Sequence, residues 1–206
     1  MIAIVDYGVG NLFSLTSSFA AIGVEAVATS DPEKIRRADR IILPGVGAFG
    51  DAAKKLRETG LDRVVCEEAK KGKPLMGICL GMQLLFERGF EYGEHEGLGL
   101  IRGSVRPIAD VIPEDLKIPH IGWNALHLTK STPLFSYVRE GDCVYFVHSY
   151  YATDCDDAVI ATAEYGVPLT AAVASGNIMG CQFHPEKSGD VGLSILRAFS
   201  DMEVKA

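Results

Sequence analysis

A cysteine set between two glycines is the residue of this chain best suited to nucleophilic chemistry. Residues 77–81 read Gly-Ile-Cys-Leu-Gly, which predicts a sharp turn from a buried strand into a helix, with Cys79 at the turn. The glycines allow a tight turn and leave space for a substrate. N–H groups at the start of a helix favour the thiolate, which attacks carbonyl carbon. Taken alone, the motif also fits a buried structural cysteine.

A histidine and a glutamate near the C-terminus supply the partners that a cysteine nucleophile needs. Residues 177–186 read Asn-Ile-Met-Gly-Cys-Gln-Phe-His-Pro-Glu, which predicts an apolar strand ending at His184. Pro185 favours an extended conformation before it, so that His184 and Glu186 can point to the same side. We therefore predict a catalytic triad in which His184 is the base for Cys79 and Glu186 orients the imidazole.

A glycine-rich loop earlier in the chain predicts an oxyanion hole. Residues 44–47 read Pro-Gly-Val-Gly and follow an apolar segment. The expected donors are the N–H of Leu80, directly after the nucleophile, and one N–H from Gly45 or Val46. Two alternatives are a tight turn without a catalytic role and a phosphate-binding loop. The second is disfavoured because no Lys-Ser/Thr pair follows the loop.

The order of strands and helices predicts an α/β fold that would position these residues. Strand patterns at 2–5, 25–29 and 40–43 and before Cys79 alternate with helical patterns at 12–22 and 51–70 and with a short helix that has Pro32 in its first turn. Another helix follows Cys79 as far as Phe86. After Gly97 strands predominate, at 98–105, 123–128, 143–147, 159–163, 169–174 and 178–183, before a closing helix at 190–199. This order is typical of a three-layer, open, mostly parallel sheet with helices on both faces, here one domain over residues 1–206. The three motifs should meet at the carboxyl ends of the strands.

Length, charge and cysteine content narrow the class of protein. The 206 residues fit one α/β domain, and the net charge of −7 argues against nucleic acid or an anionic membrane as a partner. Five cysteines without close pairing indicate a reducing compartment. The four cysteines other than Cys79 are interpreted as structural thiols: Cys66, Cys143, Cys155 and Cys181. We find no membrane-spanning apolar run and no signal peptide, and expect a cytoplasmic protein.

The motifs together resemble a known family. GICLGMQLLF (77–86) with FHPE (183–186) is similar to the class I glutamine amidotransferases, and the similarity covers the whole chain. Four further segments resemble the glutaminase subunits of imidazole glycerol phosphate synthase: residues 6–12, PGVGAFG (44–50), PHIGWN (119–124) and YFVHSYY (145–151). The PGVG loop distinguishes these subunits from relatives in anthranilate or pyridoxal phosphate synthesis, which have PGPG or PGGES in that loop.

The resemblance implies a reaction and a set of substrate-binding residues. L-Glutamine would be hydrolysed to glutamate and ammonia through a thioester on Cys79. By resemblance, the substrate is held by Gln83, by Glu91 at its amino group, and by the backbone around Ser149 and Tyr150 at its carboxylate. His148, in the same strand end, is interpreted as structural. The chain has no metal cluster or nucleotide motif, and we expect no cofactor.

The resemblance also implies a partner protein. Ammonia would pass through a tunnel into a (β/α)8-barrel cyclase subunit, with which the chain forms a heterodimer. The residues that match the family's interface positions are Asn11, Trp123, Tyr145 and Lys187. Chemistry alone would equally allow Trp123 to be a core aromatic residue.

The sequence leaves three other functions open. One is a glutaminase subunit of a different synthase, which the PGVG and PHIGWN segments disfavour. A second is a stand-alone cysteine hydrolase, which would need activity without a partner. A third is a regulatory module without catalysis, which would not require Cys79, His184 and Glu186 to be present together.

Overall fold

A central eight-stranded sheet organises the molecule, whose structure is a computed structural model describing residues 1–203. In chain order the strands are β1 (Ile2–Val5), β2 (Ala26–Thr29), β3 (Arg40–Leu43), β4 (Leu75–Ile78), β5 (Phe86–Gly89), β6 (His95–Glu96), β7 (Ile101–Pro107), β8 (His120–Ala125), β9 (His127–Leu128), β10 (Cys143–His148), β11 (Tyr150–Thr153), β12 (Val159–Glu164), β13 (Pro168–Ser175) and β14 (Ile178–Cys181). The central sheet has the order β2-β1-β3-β4-β14-β13-β12-β9. Its first five strands are parallel and the last three are added antiparallel.

Helices cover both faces of this sheet. They are α1 (Leu12–Ala21), α2 (Pro32–Arg37), α3 (Phe49–Glu58), α4 (Leu61–Lys70), α5 (Leu80–Leu84) and α6 (Gly189–Asp201). Side chains of β1 alternate between the faces: Ile2 and Ile4 pack with α1 and α6, whereas Ala3 and Val5 pack with α2, α3 and α4. The expected three-layer α/β fold is confirmed. Among residues 1–203, no helix is long and apolar enough to cross a membrane.

Two smaller sheets stand beside the carboxyl ends of the parallel strands. One is four-stranded, in the order β11-β7-β5-β6, and the other is an antiparallel ribbon of β8 and β10. In the ribbon, Trp123 lies opposite Tyr145 and His120 lies opposite His148. The 3-10 turn Pro185–Lys187, which follows β14, packs against both β10 and α1. The ribbon is therefore attached to the segment that carries His184 and Glu186.

Several predicted elements differ from those observed. The helical segments expected at 51–70 are the two helices α3 and α4, and the chain turns between them at Gly60, whose φ is +71°. The helix after Cys79 ends at Leu84, and Phe86 begins strand β5. The N–H groups of Leu98 and Leu100 bond to the carbonyls of Leu84 and Leu85, so those carbonyls mark the end of the helix. Strands β5, β6 and β11, which are two to four residues long, have no counterpart among the predicted elements.

Candidate active site

Cys79 occupies a strained backbone position between β4 and α5. Its φ is 54° and its ψ is −115°, a conformation that costs a residue with a side chain about 1–3 kcal/mol. The N–H of Cys79 donates to the carbonyl of Cys181 at 2.8 Å. The neighbouring strand β14 therefore helps to hold the nucleophile in this conformation.

The glycines on either side of Cys79 serve close packing of backbones. A Cβ atom at Gly77 would lie 2.6 Å from the carbonyl oxygen of Gly81, and a Cβ at Gly81 would collide with the carbonyl oxygen of Leu43. Neither glycine has a positive φ. The sharp turn is made by Cys79 itself, and the glycines allow β3, β4 and α5 to approach one another.

Cys79 is buried at the base of a cavity that opens to the surface. The residue is 8% exposed, and the cavity beside it has a volume of about 290 Å³. Predicted site residues that line this cavity with Cys79 are Val46, Leu80, Gln83, Glu91, Ser149, Tyr150 and His184. Gly45 and Glu186 do not line the cavity, but each contacts a residue that does: Gly45 packs against Leu80, and Glu186 bonds to His184. The three motifs and the predicted glutamine-binding residues therefore converge on one cavity.

His184 and Glu186 form a buried pair next to the cysteine. The Nδ1 of His184 lies 2.8 Å from Oε1 of Glu186, and the two side chains are 3% and 1% exposed. Burial lowers the pKa of His184, but hydrogen bonds to Cys79 and Glu186 and the negative charge of both groups outweigh this effect and raise the pKa to about 9. Near neutral pH the imidazole therefore holds a proton that it can donate.

The loop of residues 44–47 packs directly against the nucleophile turn. A Cβ atom at Gly45 would lie 2.8 Å from the backbone nitrogen of Gly81. Tyr7 holds the loop from behind, since its hydroxyl donates to the carbonyl of Pro44 at 2.8 Å. Burial and the nearby charge of Cys79 raise the pKa of Tyr7, so the phenol stays neutral and remains a donor. Val46 and Leu80 both line the cavity, and the N–H of Leu80 begins α5, where it has no partner within the helix.

The predicted substrate-binding side chains are themselves anchored. Gln83 Nε2 donates to the carbonyl of Tyr150 at 3.2 Å and to Oε1 of Gln182 at 3.0 Å. Glu91 accepts the backbone N–H of Phe49, at the start of α3, at 2.7 Å through Oε2. The second oxygen of Glu91 is left for another donor. Both side chains are thus held at the cavity by bonds to distant parts of the chain.

Comparison with known proteins shows the family of the chain. The model of the family described as glutamine amidotransferase class-I matches residues 3–201. The chain belongs to this family. No group of three His, Cys, Asp or Glu side chains among residues 1–203 is arranged to hold a metal ion.

Relatives of this amidotransferase match it over nearly its full length. The imidazole glycerol phosphate synthase subunit HisH of Sulfurimonas denitrificans is 54% identical over 203 residues, covering 97% of each chain. The subunit of the same name from Lactococcus lactis is 50% identical over 199 residues, covering 96% of each. Among solved structures, PurLQS from Thermotoga maritima has a TM-score of 0.74 at 22% identity, with 97% of each chain covered. This last match supports the fold alone.

Three of the residues assigned to an interface share one surface of the amidotransferase. The rings of Trp123 and Tyr145 are 6.0 Å apart, and the ammonium of Lys187 lies 5.9 Å from the Tyr145 ring. Trp123 is 56% exposed and is therefore not a core residue. Asn11 is half-buried and caps α1 by accepting the N–H of Ser14 at 3.3 Å. Because α1 packs against the 185–187 turn, Asn11 lies at the same end of the molecule.

The structure adds residues to the amidotransferase site that the motifs did not suggest. Tyr7 supports the 44–47 loop, and Gln182 lies between Cys79 and Gln83. Gln182 could have been noticed in the sequence as a glutamine within an apolar strand pattern, two residues before His184. Burial lowers the pKa of His148 to about 4, so this side chain is neutral near pH 7 and bonds to the carbonyl of Tyr150 at 2.9 Å.

Proposed function

We propose that this amidotransferase is the glutaminase subunit of an imidazole glycerol phosphate synthase, and that it supplies ammonia for histidine biosynthesis. The observation that carries the proposal is the position of His184 between Cys79 and Glu186, beside a cavity large enough for one amino acid. The near full-length relatives at 50% and 54% identity, both named as the HisH subunit, support the assignment to this synthase. The five free cysteines fit a reducing compartment, and we place the reaction in the cytoplasm.

The reaction begins when the sulfur of Cys79 attacks the side-chain carbonyl carbon of L-glutamine. A carbon–sulfur bond forms and the carbonyl electrons move to oxygen, where the N–H of Leu80 and one N–H of the Gly45–Val46 segment donate to the negative charge. The intermediate then collapses and the carbon–nitrogen bond breaks. His184 gives its proton to the leaving nitrogen, which departs as ammonia.

Hydrolysis of the thioester completes the cycle. His184, now neutral, accepts a proton from a water molecule, whose oxygen attacks the thioester carbon. Collapse of this second intermediate breaks the carbon–sulfur bond and releases glutamate. Glu186 holds Nδ1 of His184 throughout, which keeps Nε2 directed at the reacting atoms and stabilises the imidazolium each time it forms.

Substrate glutamine is held by a carboxylate, by backbone N–H groups and by an amide carbonyl. The free carboxylate oxygen of Glu91 pairs with the α-ammonium group, and the backbone of Ser149 and Tyr150 donates to the α-carboxylate. The carbonyl oxygen of Gln83 accepts from the substrate, because both of its amide hydrogens already have protein acceptors. These contacts place the side-chain amide of glutamine beside Cys79.

A cyclase subunit docks on the surface formed by Trp123, Tyr145 and Lys187, with Asn11 at its edge, and receives the ammonia. Strand β10 connects this surface to the base: Tyr145 accepts the N–H of His184 at 3.0 Å, and its own N–H donates to Ser188 Oγ at 3.0 Å. Docking can therefore change the position of His184 through β10. We expect the free chain to hydrolyse glutamine poorly and the complex to hydrolyse it fast.

The proposal is tested by measuring glutamine hydrolysis in three states: the chain alone, with a cyclase subunit, and with the cyclase and its nucleotide substrate. We expect turnover to rise by about 100-fold or more on completion of the complex, the size of effect that a correctly positioned general acid–base group supplies. Imidazole glycerol phosphate should form in the third state. Equal turnover in all three states would instead indicate a stand-alone cysteine hydrolase, and hydrolysis without this product a glutaminase for a different synthase.

A further inference from the structure

Gln182 is a fully buried amide beside the nucleophile that the mechanism above does not use. It follows β14, is 0% exposed, and its side chain lies between Cys79 and Gln83. A buried amide left without partners would be costly, so its donors and acceptors should be matched to its neighbours. What those neighbours accept or donate therefore shows which end of the Gln182 amide faces the sulfur.

A backbone carbonyl fixes the direction of this hydrogen-bond chain. The carbonyl oxygen of Tyr150 can only accept, so the atom of Gln83 that lies 3.2 Å from it must be the amide nitrogen. That nitrogen lies 3.0 Å from the Gln182 side chain, which must present its oxygen there. The amide nitrogen of Gln182 therefore faces the sulfur of Cys79, at 3.8 Å. The reverse orientation would bring two NH2 groups together.

A backbone carbonyl also lies close to the sulfur of Cys79 and interacts differently with its thiol and thiolate forms. The carbonyl oxygen of Val147 lies 4.0 Å from the sulfur and can accept from a thiol but repels a thiolate. A donor on another side of the sulfur offsets this repulsion. His184 supplies one such donor and the amide of Gln182 supplies a second.

We propose that Gln182 is a positioning residue for both reactants. Its N–H donates to the sulfur of Cys79 and favours the thiolate, and its carbonyl oxygen holds the amide of Gln83 so that only Oε1 of Gln83 is available to glutamine. One buried side chain thus couples the state of the nucleophile to the orientation of a substrate-binding group. The second half of this inference rests on the proposed glutamine hydrolysis, whereas the first half does not.

The test measures alkylation of Cys79 by iodoacetamide without glutamine, read site by site by peptide mass spectrometry. For Gln182→Met, which keeps the length of the side chain and removes both hydrogen bonds, we expect alkylation of Cys79 at neutral pH to slow by about tenfold. Alkylation of the exposed Cys143 gives the internal reference. Gln182→Asn keeps a buried amide but withdraws it from the sulfur by one methylene, and should show the same direction of change if the Met variant does not fold.

The matched control is Cys155→Ala, which alters another buried side chain and leaves the hydrogen-bond chain intact. Its alkylation rate at Cys79 should stay within about twofold of wild type. In the glutaminase assay, both Gln182 variants should also raise the KM for glutamine by about fivefold, through the loss of order at Gln83. A merely structural role would lower the melting temperature of the Gln182 variants and leave alkylation unchanged, and this result would overturn the proposal.

The proposed function and the proposed role of Gln182 can fail separately. Slow alkylation in the Gln182 variants with an unchanged KM would reject the coupling to Gln83 and so the proposal as stated. Slow alkylation in a chain whose wild type hydrolyses no glutamine, even with the cyclase, would reject the proposed function and leave the contact to sulfur supported. Unchanged alkylation with normal glutaminase activity would reject the positioning role alone.

Discussion

At the scale of single residues, the chemistry of the site depends on the proton held by His184. Its imidazole is buried between a sulfur and a carboxylate, and its pKa of about 9 lies well above the ordinary value of 6.5. Because folding raises this pKa, the interaction contributes stability that is fully present below about pH 6.5 and is lost as the pH rises through 9. The buried carboxylate of Glu186 contributes to that shift through both its hydrogen bond and its charge.

Glu186→Gln should therefore change how stability depends on pH. Near pH 6 we expect the variant to be less stable than wild type by about 2 kcal/mol, because the amide attracts the imidazolium more weakly. The difference should shrink toward about pH 10, where His184 is neutral in both proteins. Urea unfolding at a series of pH values measures this. A difference that does not vary with pH would show that the charge of His184 does not contribute to its interaction with Glu186.

The site residues differ in how far the sequence could reveal them. Cys79, His184 and Glu186 lie in short motifs whose chemistry depends on close spacing, so they could be predicted, as could the residues carried over by resemblance. Gln182 and Tyr7 act through contacts with residues 103 and 37 positions away. No local pattern encodes such contacts, and only the folded sheet brings their partners together.

At the scale of elements, the turn between β4 and α5 depends on backbone segments that pack too closely to leave room for a Cβ atom at Gly77 or Gly81. Gly81 faces the carbonyl of Leu43 and Gly77 faces the backbone of Gly81 and Met82. These contacts bring the end of β3, and with it the 44–47 loop, against the nucleophile. The proposed oxyanion hole thus depends on the absence of a Cβ at these two glycines and at Gly45, where a Cβ would lie 2.8 Å from the backbone nitrogen of Gly81.

Gly81→Ala should accordingly destabilise the protein strongly. The added methyl group would collide with backbone atoms, which cannot move aside as a flexible side chain could, and we expect a loss of more than about 3 kcal/mol together with glutaminase activity. The control is Gly176→Ala, where φ is +61° and nothing lies within 4 Å of the added carbon. There we expect a loss of only about 1 kcal/mol. Similar losses at both positions in thermal unfolding would argue against the packing explanation.

Element boundaries were harder to predict than element types. The parallel strands could be predicted because they are continuous apolar runs between turn residues. The helix after Cys79 was predicted to be too long, since Leu85 and Phe86 continue its apolar pattern. The end of that helix is instead set by long-range bonds from residues 98–101, which satisfy carbonyls at its C-terminus. Short strands such as β6 have too few residues to show any periodicity.

At the scale of the whole molecule, the fold places the cavity and the proposed docking surface at the same end of the sheet. Trp123, Tyr145 and Lys187 form that surface, and β10 is bonded to the backbone of His184. A partner bound there lies close enough to receive ammonia and to influence the base. In the proposed complex, one short strand would connect catalysis with the delivery of ammonia.

Trp123→Ala should weaken activation by the cyclase and leave glutamine hydrolysis by the free chain unchanged. The side chain is exposed and does not line the cavity, so the slow hydrolysis by the isolated protein should be unchanged. We expect the affinity for the cyclase to fall by about 30-fold or more, as for a buried aromatic anchor of an interface. Tyr137→Ala provides the control, since that residue is also about half exposed and lies elsewhere. Equal effects of the two substitutions would show that docking occurs on another surface.

The most direct test of the account is product formation by the assembled complex carrying Cys79→Ala. With glutamine as the nitrogen source, synthesis of imidazole glycerol phosphate should fall by about 1000-fold or more, because the thioester cannot form. With added ammonium salts the rate should stay within about twofold of the wild-type complex, since the proposed cyclase chemistry takes place on the other subunit. Loss of synthesis from both nitrogen sources, or continued synthesis from glutamine, would contradict the proposed division of labour.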